Sequence, residues 1–481
     1  MTTYRFLIFL SLLTAASHIS AREWVVSTTG SDEAPGTIEA PLATLQKACA
    51  EAQAGDTVTI RGGVYTVAEQ VKPLNSGTPD AWIVYRSYPE EKVIIDGRRI
   101  QQLKDPQGGL MAFSRMTAGV VHIENVSYVK WQDITVSNSY AGGIIVRGGD
   151  MRTFDPEKKS PTYKIVLENC TTNRSHNSGI GIWYADSVLV KGCEIIGAND
   201  NDYRVRGVQK RGEAPHEAIS VCGARWFEIC YNHLHDCHKE GIDVKEVSRY
   251  GIVHNNLVHD LPRQAYYVDA WFGLLEDIEL YENVAYNCVW GFAVSVEGKD
   301  SHLRNIRFHH NLIYNMLGSG VLFGMWGGNL LREDIHIYNN TFYKCGSPNL
   351  FSGGVGCINI LSQNFKNVYI YRNICDKGWD YNIGFNADLK NLPKELKEKD
   401  FILKENLVEG LKGRPSRVGQ FDAFVREYIP EGNKIGVPLY RDELGFDFVP
   451  ESIPEVEKSG TKWKYEPSPW YGAFKPESTY K

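Results

Sequence analysis

A short segment built around one asparagine recurs through the middle of the chain. Six copies place this asparagine in phase, 24 to 33 residues apart, at Asn232, Asn256, Asn283, Asn311, Asn340 and Asn373. Each copy joins short runs of β-branched residues through Gly, Asn or Asp, which is a pattern of strands and turns. A period of this length fits one coil of a parallel β-helix, with three short strands per coil. Asparagines stacked at one tight turn can then hydrogen-bond from coil to coil and form a ladder.

Other positions of the repeat are also occupied in a regular way. Three earlier segments follow the pattern and place Asp133, Asn169 and Cys193 at the asparagine position. Three residues after the asparagine we predict a structural aromatic stack of His235, His259, Tyr286, Tyr314 and Tyr343. His233, His235 and His238 also suggest zinc, but the sequence shows no thiolate or acid that completes a ligand set. We therefore interpret these histidines as structural.

The first 21 residues have the pattern of a secretory signal peptide. Arg5 precedes an apolar run from Phe6 to Ala15, which is too short to span a bilayer, and Ile19-Ser20-Ala21 is a small-residue cleavage site. No later segment holds about 18 uninterrupted apolar residues. We expect cleavage before Arg22, no membrane insertion, and a secreted or periplasmic monomer.

Composition narrows the class of protein further. Net charge is −6, from 52 basic and 58 acidic residues, so the strongly basic face that nucleic acid requires is not expected. Hydrophobic residues at 43% and charged residues at 23% argue against extensive disorder. The ten cysteines include no CxxC pair, which argues against a zinc ribbon. We expect them to stack as small buried side chains, and one or two disulfides between neighbouring coils remain an alternative.

The stretch from Arg22 to Thr66, REWVVSTTGSDEAPGTIEAPLATLQKACAEAQAGDTVTIRGGVYT, resembles the N-terminal cap of a known superfamily. It is similar to secreted right-handed parallel β-helix proteins of the pectate-lyase-like superfamily, and the resemblance extends roughly from Glu23 to Ala387. It implies a strand, a capping helix at about Pro41 to Gln53, and a first coil with a Gly55-Asp56 turn. The superfamily holds lyases, hydrolases, isomerases and non-catalytic adhesins, so the resemblance bears on fold more than on substrate.

We therefore predict an all-β chain, a right-handed parallel β-helix solenoid with an N-terminal capping helix. The predicted divisions are a signal peptide (1–21), the cap and first coils (22–95), the β-helix (96–390), and degenerate C-terminal coils with a tail (391–481). The tail is charged and contains prolines, and its aromatic end is expected to pack back on the solenoid.

Three successive coils align at Gly241–Lys245, Ala265–Trp271 and Gly291–Glu297. Alternate residues of a strand face opposite ways, so the core should receive Ile242, Val244, Tyr266, Val268, Phe292, Val294 and Val296. The outward row is then Asp243, Lys245, Tyr267, Asp269, Trp271 and Glu297. Parallel strands lie about 4.8 Å apart, which places Lys245 beside Asp269 and Asp243 beside Tyr267, with Glu297 about 8 Å from Asp269. The preceding coil brings His216 and Glu217 beside Lys239 and Glu240, near Arg263.

This polar row favours a lyase that cleaves a uronate-containing polysaccharide or oligosaccharide by β-elimination. The resemblance to β-helix lyases implies a basic side chain near a carboxylate-bound cation, and Lys245 is our candidate base, with Tyr267 or His216 as proton donor. Asp269 and Glu297 complete the catalytic candidates. Substrate contacts are expected from Trp271, Trp326, Arg263 and Lys239, and a Ca²⁺ ion could be held by Asp243, Asp269, Glu217 and Glu240.

Two alternatives stay open. Asp269 and Glu297 could be the acid and base of a glycoside hydrolase, and a gap of about 8 Å would favour inversion. A non-catalytic glycan-binding solenoid is a third hypothesis, but it does not require clustered acids and bases. Lys245 favours the lyase, although a lysine between Asp243 and Asp269 keeps its proton firmly. Either a bound cation absorbs the carboxylate charge, or Lys245 only neutralises the substrate and Tyr267 or His216 moves the proton. Because the row lies on the surface of the sheet, alanine at Lys245, Asp269 or Glu297 is expected to remove activity and leave stability nearly unchanged.

Overall fold

The computed structural model describes residues 21–100, 118–200, 216–348, 355–362, 364–386, 400–412, 416–418, 423–477 and 479–480. Within these residues the chain is nearly all β and winds as a parallel β-helix, as the repeat predicts. The predicted signal peptide lies outside the described residues except for Ala21. No helix in the described part is long and apolar enough to cross a membrane.

Each coil contributes one strand in turn to three long sheets. Sheet A contains Glu23–Val26, Thr57–Ile60, Ile83–Ser87, Ser127–Gln132, Tyr163–Glu168, Asp186–Lys191, Glu228–Cys230, Arg249–His254, Gly273–Tyr281, Ser301–His309, Arg332–Tyr338, Phe365–Tyr371 and Phe401–Lys404. Sheet B contains Gly63–Thr66, Val93–Asp96, Ile134–Ser139, Thr171–Ser175, Glu194–Ile196, His233–His235, Leu257–His259, Val284–Tyr286, Leu312–Tyr314, Thr341–Tyr343, Ile374–Asp376, Leu407–Val408 and Lys434–Ile435.

Sheet C has parallel strands at Gly119–Glu124, Gly142–Arg147, Ile180–Trp183, Ile219–Cys222, Ile242–Lys245, Gln264–Ala270, Trp290–Val296, Val321–Phe323, Gly356–Ile360 and Tyr381–Asn386. Two antiparallel strands, Ala423–Glu427 and Ser416–Val418, extend one edge of it. A small separate sheet joins Leu439–Asp442, Asp447–Pro454 and Thr479–Tyr480. The core fills the space enclosed by the three long sheets.

The N-terminal end of the solenoid is covered by an α-helix at Leu45–Glu51, and a single 3₁₀ turn follows at Gly97–Arg99. The helix begins after Thr44, whose hydroxyl accepts a hydrogen bond from the Lys47 amide. It buries Leu45, Ala48 and Cys49 against the first coils. The helix is shorter than the predicted Pro41 to Gln53 because Leu42 is held in a bridge to Val26.

The asparagine ladder is confirmed and is longer than the sequence indicated. The Oδ1 of each asparagine accepts hydrogen bonds from the backbone N–H and from the side-chain Nδ2 of the asparagine in the previous coil. The row continues through Asn406 to Asn433. Its first acceptor contact runs from the Cys193 amide to Asn232 Oδ1, at 2.8 Å. The strand register places Asp133 and Asn169 one residue before the rung position, which corrects their assignment. That preceding position carries the left-handed backbone, with φ of 58° at Asp133 and 52° at Asn169.

All ten cysteines are buried and unpaired, as expected for small stacked side chains. The predicted aromatic stack forms from His235 to Tyr314, with ring centroids 5.3 Å apart for His235 and His259, 4.6 Å for His259 and Tyr286, and 5.1 Å for Tyr286 and Tyr314. Tyr343 packs instead on Phe448, at 4.7 Å. Near the C-terminus, Trp463 stacks on Tyr371 at 4.0 Å, so part of the tail packs on the outside of sheet A.

Candidate active site

A cleft of about 430 Å³ lies on the outer face of sheet C. It is lined by Glu217, Lys239, Glu240, Asp243, Lys245, Pro262, Arg263, Gln264, Tyr267, Asp269, Trp271, Trp290, Glu297 and Trp326. Eleven of the twelve site residues predicted from the sequence are in this set; the exception is His216. Pro262, Gln264 and Trp290 were not anticipated, although Gln264 and Trp290 are register partners at the start of their strands.

The predicted register of the site strands is confirmed. Asp243 pairs with Tyr267 and Lys245 pairs with Asp269 across neighbouring coils, whereas Ser295 pairs with Asp269 in the next coil. The intervening residues are fully buried in the core: Ile242, Val244, Tyr266, Val268, Phe292, Val294 and Val296. Strict alternation therefore gathers the polar side chains on one face.

Lys245 lies at the centre of the cleft in a buried ion pair. Its Nζ is 2.7 Å from Glu217 Oε1 and 3.7 Å from Asp243 Oδ2. Glu217 is also held by Ser220, whose hydroxyl donates to Oε2 at 2.8 Å. Burial disfavours the Glu217 carboxylate, but the neighbouring groups, with Lys245 first among them, together outweigh burial and lower the Glu217 pKa to about 2. Although burial opposes it, Glu217 likewise holds the Lys245 pKa well above its usual range, so this lysine is a cation at neutral pH.

A second ion pair lies at the mouth of the cleft. Arg263 donates to Glu240 Oε1 at 2.9 Å, and Lys239 Nζ lies 3.8 Å from Glu240 Oε2. Glu240 is buried, whereas about a third of the Arg263 side chain is exposed. Arg263 can therefore reach a ligand while it remains paired.

Asp243 and Asp269, like Glu240, keep an oxygen without a hydrogen-bond partner. Both are buried, and Oδ1 of each has no hydrogen-bond partner. Burial raises the pKa of Asp243, and the carboxylates of Asp269 and Glu217 raise it further. Burial also raises the pKa of Asp269, with Lys245 opposing and Glu297 adding to the shift. A buried carboxyl group among other carboxylates is stabilised either by protonation or by a nearby cation.

The predicted calcium ligands fit a cation only in part. Glu217 is paired with Lys245. Glu240 Oε2 has no hydrogen-bond partner, but Glu240 already lies between Arg263 and Lys239, so the unpartnered oxygens of Asp243 and Asp269 are the donors that better suit a hard cation. In the described chain, the groups of three potential ligands with atoms within 4.8 Å of one another lie elsewhere. Calcium binding in the cleft therefore stays a prediction, with Asp243 and Asp269 as the residues to hold the ion.

Tyr267 and Glu297 form a hydrogen-bonded pair beside these acids. The Tyr267 hydroxyl donates to Glu297 Oε1 at 2.5 Å, and burial raises the pKa of Glu297 although this bond opposes the shift. Trp326 lies edge-on to Tyr267, with ring centroids 5.6 Å apart, and forms an aromatic wall with Trp290. Trp271 is half exposed and donates its ring N–H to Asp269 Oδ2. Exposed indole faces of this kind can stack on sugar rings.

His216 does not line the cleft. Its ring packs on Trp183 with centroids 4.8 Å apart, and its buried Nε2 has no hydrogen-bond partner. Burial lowers its pKa to about 3, so the imidazole is neutral. This position does not favour the proton-donor role that the sequence suggested for it.

Comparisons with known proteins agree with this architecture. Residues 24–194 match the family model described as Pel9A-like, right handed beta helix region. The predicted right-handed parallel β-helix fold is thus confirmed, although the matched residues end before the first residue of the cleft.

The chain is similar to curated proteins and to solved structures. "Pectate lyase PEL9" of Emericella nidulans is 38% identical over 125 residues, which is 26% of this chain and 30% of the relative's length. "Uncharacterized protein YwoF" of Bacillus subtilis (strain 168) is 25% identical over 88% of this chain and 89% of its own. The crystal structure of pectate lyase Pel9A is 13% identical, covering 95% of this chain and 98% of that one, with a TM-score of 0.43. Similar solved structures include both lyases and glycoside hydrolases.

Proposed function

We propose that this protein is an exported β-helix lyase that cleaves a uronate-containing glycan by β-elimination. The observation that carries the proposal is the arrangement of three cations, Lys239, Lys245 and Arg263, around a buried Tyr267–Glu297 pair in one cleft. The similarity of part of the chain to a protein named as a pectate lyase supports the same reaction class.

The cations meet the first requirement of this reaction, which is neutralisation of the substrate carboxylate. The C5 proton of a uronate is too weakly acidic to leave until the charge of the neighbouring carboxylate is neutralised. Arg263, with about a third of its side chain exposed, can bind that carboxylate. Lys239 and Lys245, each 12% exposed, add two further positive charges in the same cleft. A divalent cation held by Asp243 and Asp269 would supply further neutralisation when bound.

Proton transfer is assigned to Tyr267 rather than to Lys245. Lys245 is protonated by its pairing with Glu217 and therefore has no lone pair with which to accept a proton. Tyr267 can take the C5 proton on its oxygen as its own proton passes to Glu297, the acceptor of its hydrogen bond. The electron pair forms the C4–C5 double bond and the C4–O bond breaks. The Tyr267 hydroxyl then returns a proton to the departing oxygen.

The test uses two readouts on pectic, algal and host uronate glycans. Elimination creates an unsaturated uronate that absorbs in the ultraviolet, whereas hydrolysis releases reducing ends without this absorbance. We expect an absorbance rise with wild-type protein, and its loss in Tyr267→Phe, which removes one hydroxyl from the cleft. Tyr250→Phe is the matched control, because Tyr250 is exposed on sheet A. No absorbance rise on any uronate glycan would contradict the proposal.

A glycoside hydrolase is the second candidate, and the raised pKa of Asp269 in the cleft favours it. Burial raises the pKa of Asp269, as required of a general acid, and Glu297 follows one coil later and two residues along the strand. The strand spacing sets this pair about 8 Å apart, in the range of inverting enzymes. Reducing ends released with inversion, and with no absorbance rise, would favour this reaction over elimination.

Export is part of the proposal because it determines which glycans the protein meets. The N-terminal sequence of protein recovered outside the cytoplasm should begin at Arg22. An intact N-terminus on that material would contradict cleavage at this site.

A further inference from the structure

Four potential metal ligands converge on the outer face of sheet B, away from the cleft on sheet C. Glu194, His233, His235 and His259 come from strands of three consecutive coils, with Glu194 paired to His233 and His235 paired to His259 in the register. Glu194 and His233 are partly exposed, so the group is accessible from solvent. The sequence did not reveal it, because Glu194 comes 39 residues before His233.

Three of these residues turn a donor atom towards one small region. Glu194 Oε1 is 3.5 Å from His235 Nε2 and 4.0 Å from His233 Nδ1, whereas His259 Nε2 lies 2.8 Å from the other ring nitrogen of His233, Nε2. Glu194, His233 and His235 have ligand atoms that all lie within 4.8 Å of one another. Separations of this size are those between donors that share one ion with bonds of about 2.0–2.2 Å.

The outer partners of two histidines give a second, independent indication. His235 Nδ1 lies 2.8 Å from Asp236 Oδ2, and His259 Nδ1 lies 2.6 Å from Asp260 Oδ2. Asp260 is itself held by the side-chain amide of Asn287. A carboxylate on Nδ1 holds the proton there and leaves the Nε2 lone pair free to bind a metal. At His235 the free Nε2 faces Glu194. At His259 the free Nε2 accepts a hydrogen bond from His233 Nε2, which leaves the Nδ1 lone pair of His233 on the side of Glu194.

The alternative is a plain continuation of the aromatic stack, in which His235, His259 and Tyr286 only pack. Stacking and one hydrogen bond explain the contact between His233 and His259. They do not require Glu194 at the same point, nor an aspartate behind each of two rings. We propose that Glu194, His233 and His235 form a binding site for a divalent transition metal of the zinc class, with His259 holding the His233 ring in position.

The experiment titrates metal-stripped, full-length protein with Zn²⁺ by calorimetry and with Co²⁺ by visible absorption. We expect one saturable equivalent per chain, with the cobalt bands of nitrogen ligation. His233→Ala/His235→Ala should abolish both signals. Asp260→Asn leaves all three ligands in place but loosens His259 behind His233, so it should weaken binding about 10-fold. His302→Ala, at an exposed histidine of sheet A, is the matched control and should bind as wild type does.

Two results would overturn the proposal: no saturable binding to the wild-type protein, or equal binding by the double-alanine variant. Circular dichroism and a melting curve check that each variant is folded. If the double variant does not fold, Asp260→Asn decides, because wild-type affinity in that folded variant contradicts the proposed role of its carboxylate.

Discussion

The buried Lys245–Glu217 pair makes a quantitative prediction about Lys245→Met. Methionine has a similar volume but leaves the Glu217 carboxylate buried with only the Ser220 hydroxyl as a close partner. Lys245 is the foremost of the groups that lower the Glu217 pKa from 4.5 to about 2, and a shift of that size corresponds to about 3 kcal/mol. Breaking a buried ion pair by removing one partner costs about 3–5 kcal/mol. We therefore expect Lys245→Met to lower the free energy of unfolding at pH 7 by about 3 kcal/mol or more.

The sign of the pH dependence follows from the same pair. Because the folded-state pKa of Glu217 is depressed, its contribution to stability is fully present above pH 4.5 and is lost as the pH falls towards 2. Lys245→Met should remove that part of the acid dependence. The variant should also lose activity, since it removes the central cation of the cleft.

Urea unfolding followed by tryptophan fluorescence is a suitable assay, because Trp271, Trp290 and Trp326 surround the cleft. Lys245→Met/Glu217→Gln, which removes both charges, should recover most of the lost stability. Lys366→Met is the matched control. It breaks an ion pair with Glu333 on sheet A, where the lysine is about half exposed, so the cost should be below about 1 kcal/mol. A single variant as stable as wild type, or a double variant less stable than the single one, would refute the reasoning.

Three further predictions concern the chemistry and the solenoid. Tyr267→Phe should lower kcat at least about 100-fold with little change in KM, measured as the initial rate on the substrate found. Asn311→Ala removes the hydrogen-bond partner of Asn283 and of the Leu280 carbonyl inside the ladder, so it should lower the free energy of unfolding in urea by about 3 kcal/mol or more. Asn433→Ala lies at the less buried last rung and should lower it by less. Burial raises the pKa of Asp376 to about 7, so the free energy of unfolding of the wild-type protein should fall as the pH rises from about 4 to 7. The upper limit of that fall is about 4 kcal/mol, and Asp376→Asn should abolish it.

The fold and the register of the site could be predicted because both follow from local periodicity. The asparagine spacing defines the coils, and alternation within a strand fixes which residue of each coil faces outward. Lys245 beside Asp269 and Asp243 beside Tyr267 follow directly from these two rules. The last rungs, Asn406 and Asn433, were missed because they lie in a charged segment whose composition conceals the repeat.

Burial could not be predicted, because it depends on residues that the alignment of strands does not consider. Pro262 and Trp290 help to build the walls of the cleft, and neither belongs to the outward polar row. With these walls in place, only 12% of the Lys245 side chain and 3% of Asp269 are exposed. The expectation that alanine at these positions leaves stability nearly unchanged rested on surface exposure, and it has no basis at these buried positions.

The charged side chains next to Lys245 decide between its two possible roles, as a base or as a cation that neutralises the substrate carboxylate. In the register, Cys222, Lys245, Asp269 and Ser295 form one row, and Glu217 reaches Lys245 from the strand entrance of the preceding coil. A base needs a partner that disfavours its proton, but Lys245 has an ionised carboxylate 2.7 Å away and a second acid at 3.7 Å. Neutralising a substrate carboxylate requires the protonated lysine that these partners maintain. Of the two alternatives left open by the sequence, the buried pair therefore favours neutralisation by Lys245 and proton transfer by Tyr267.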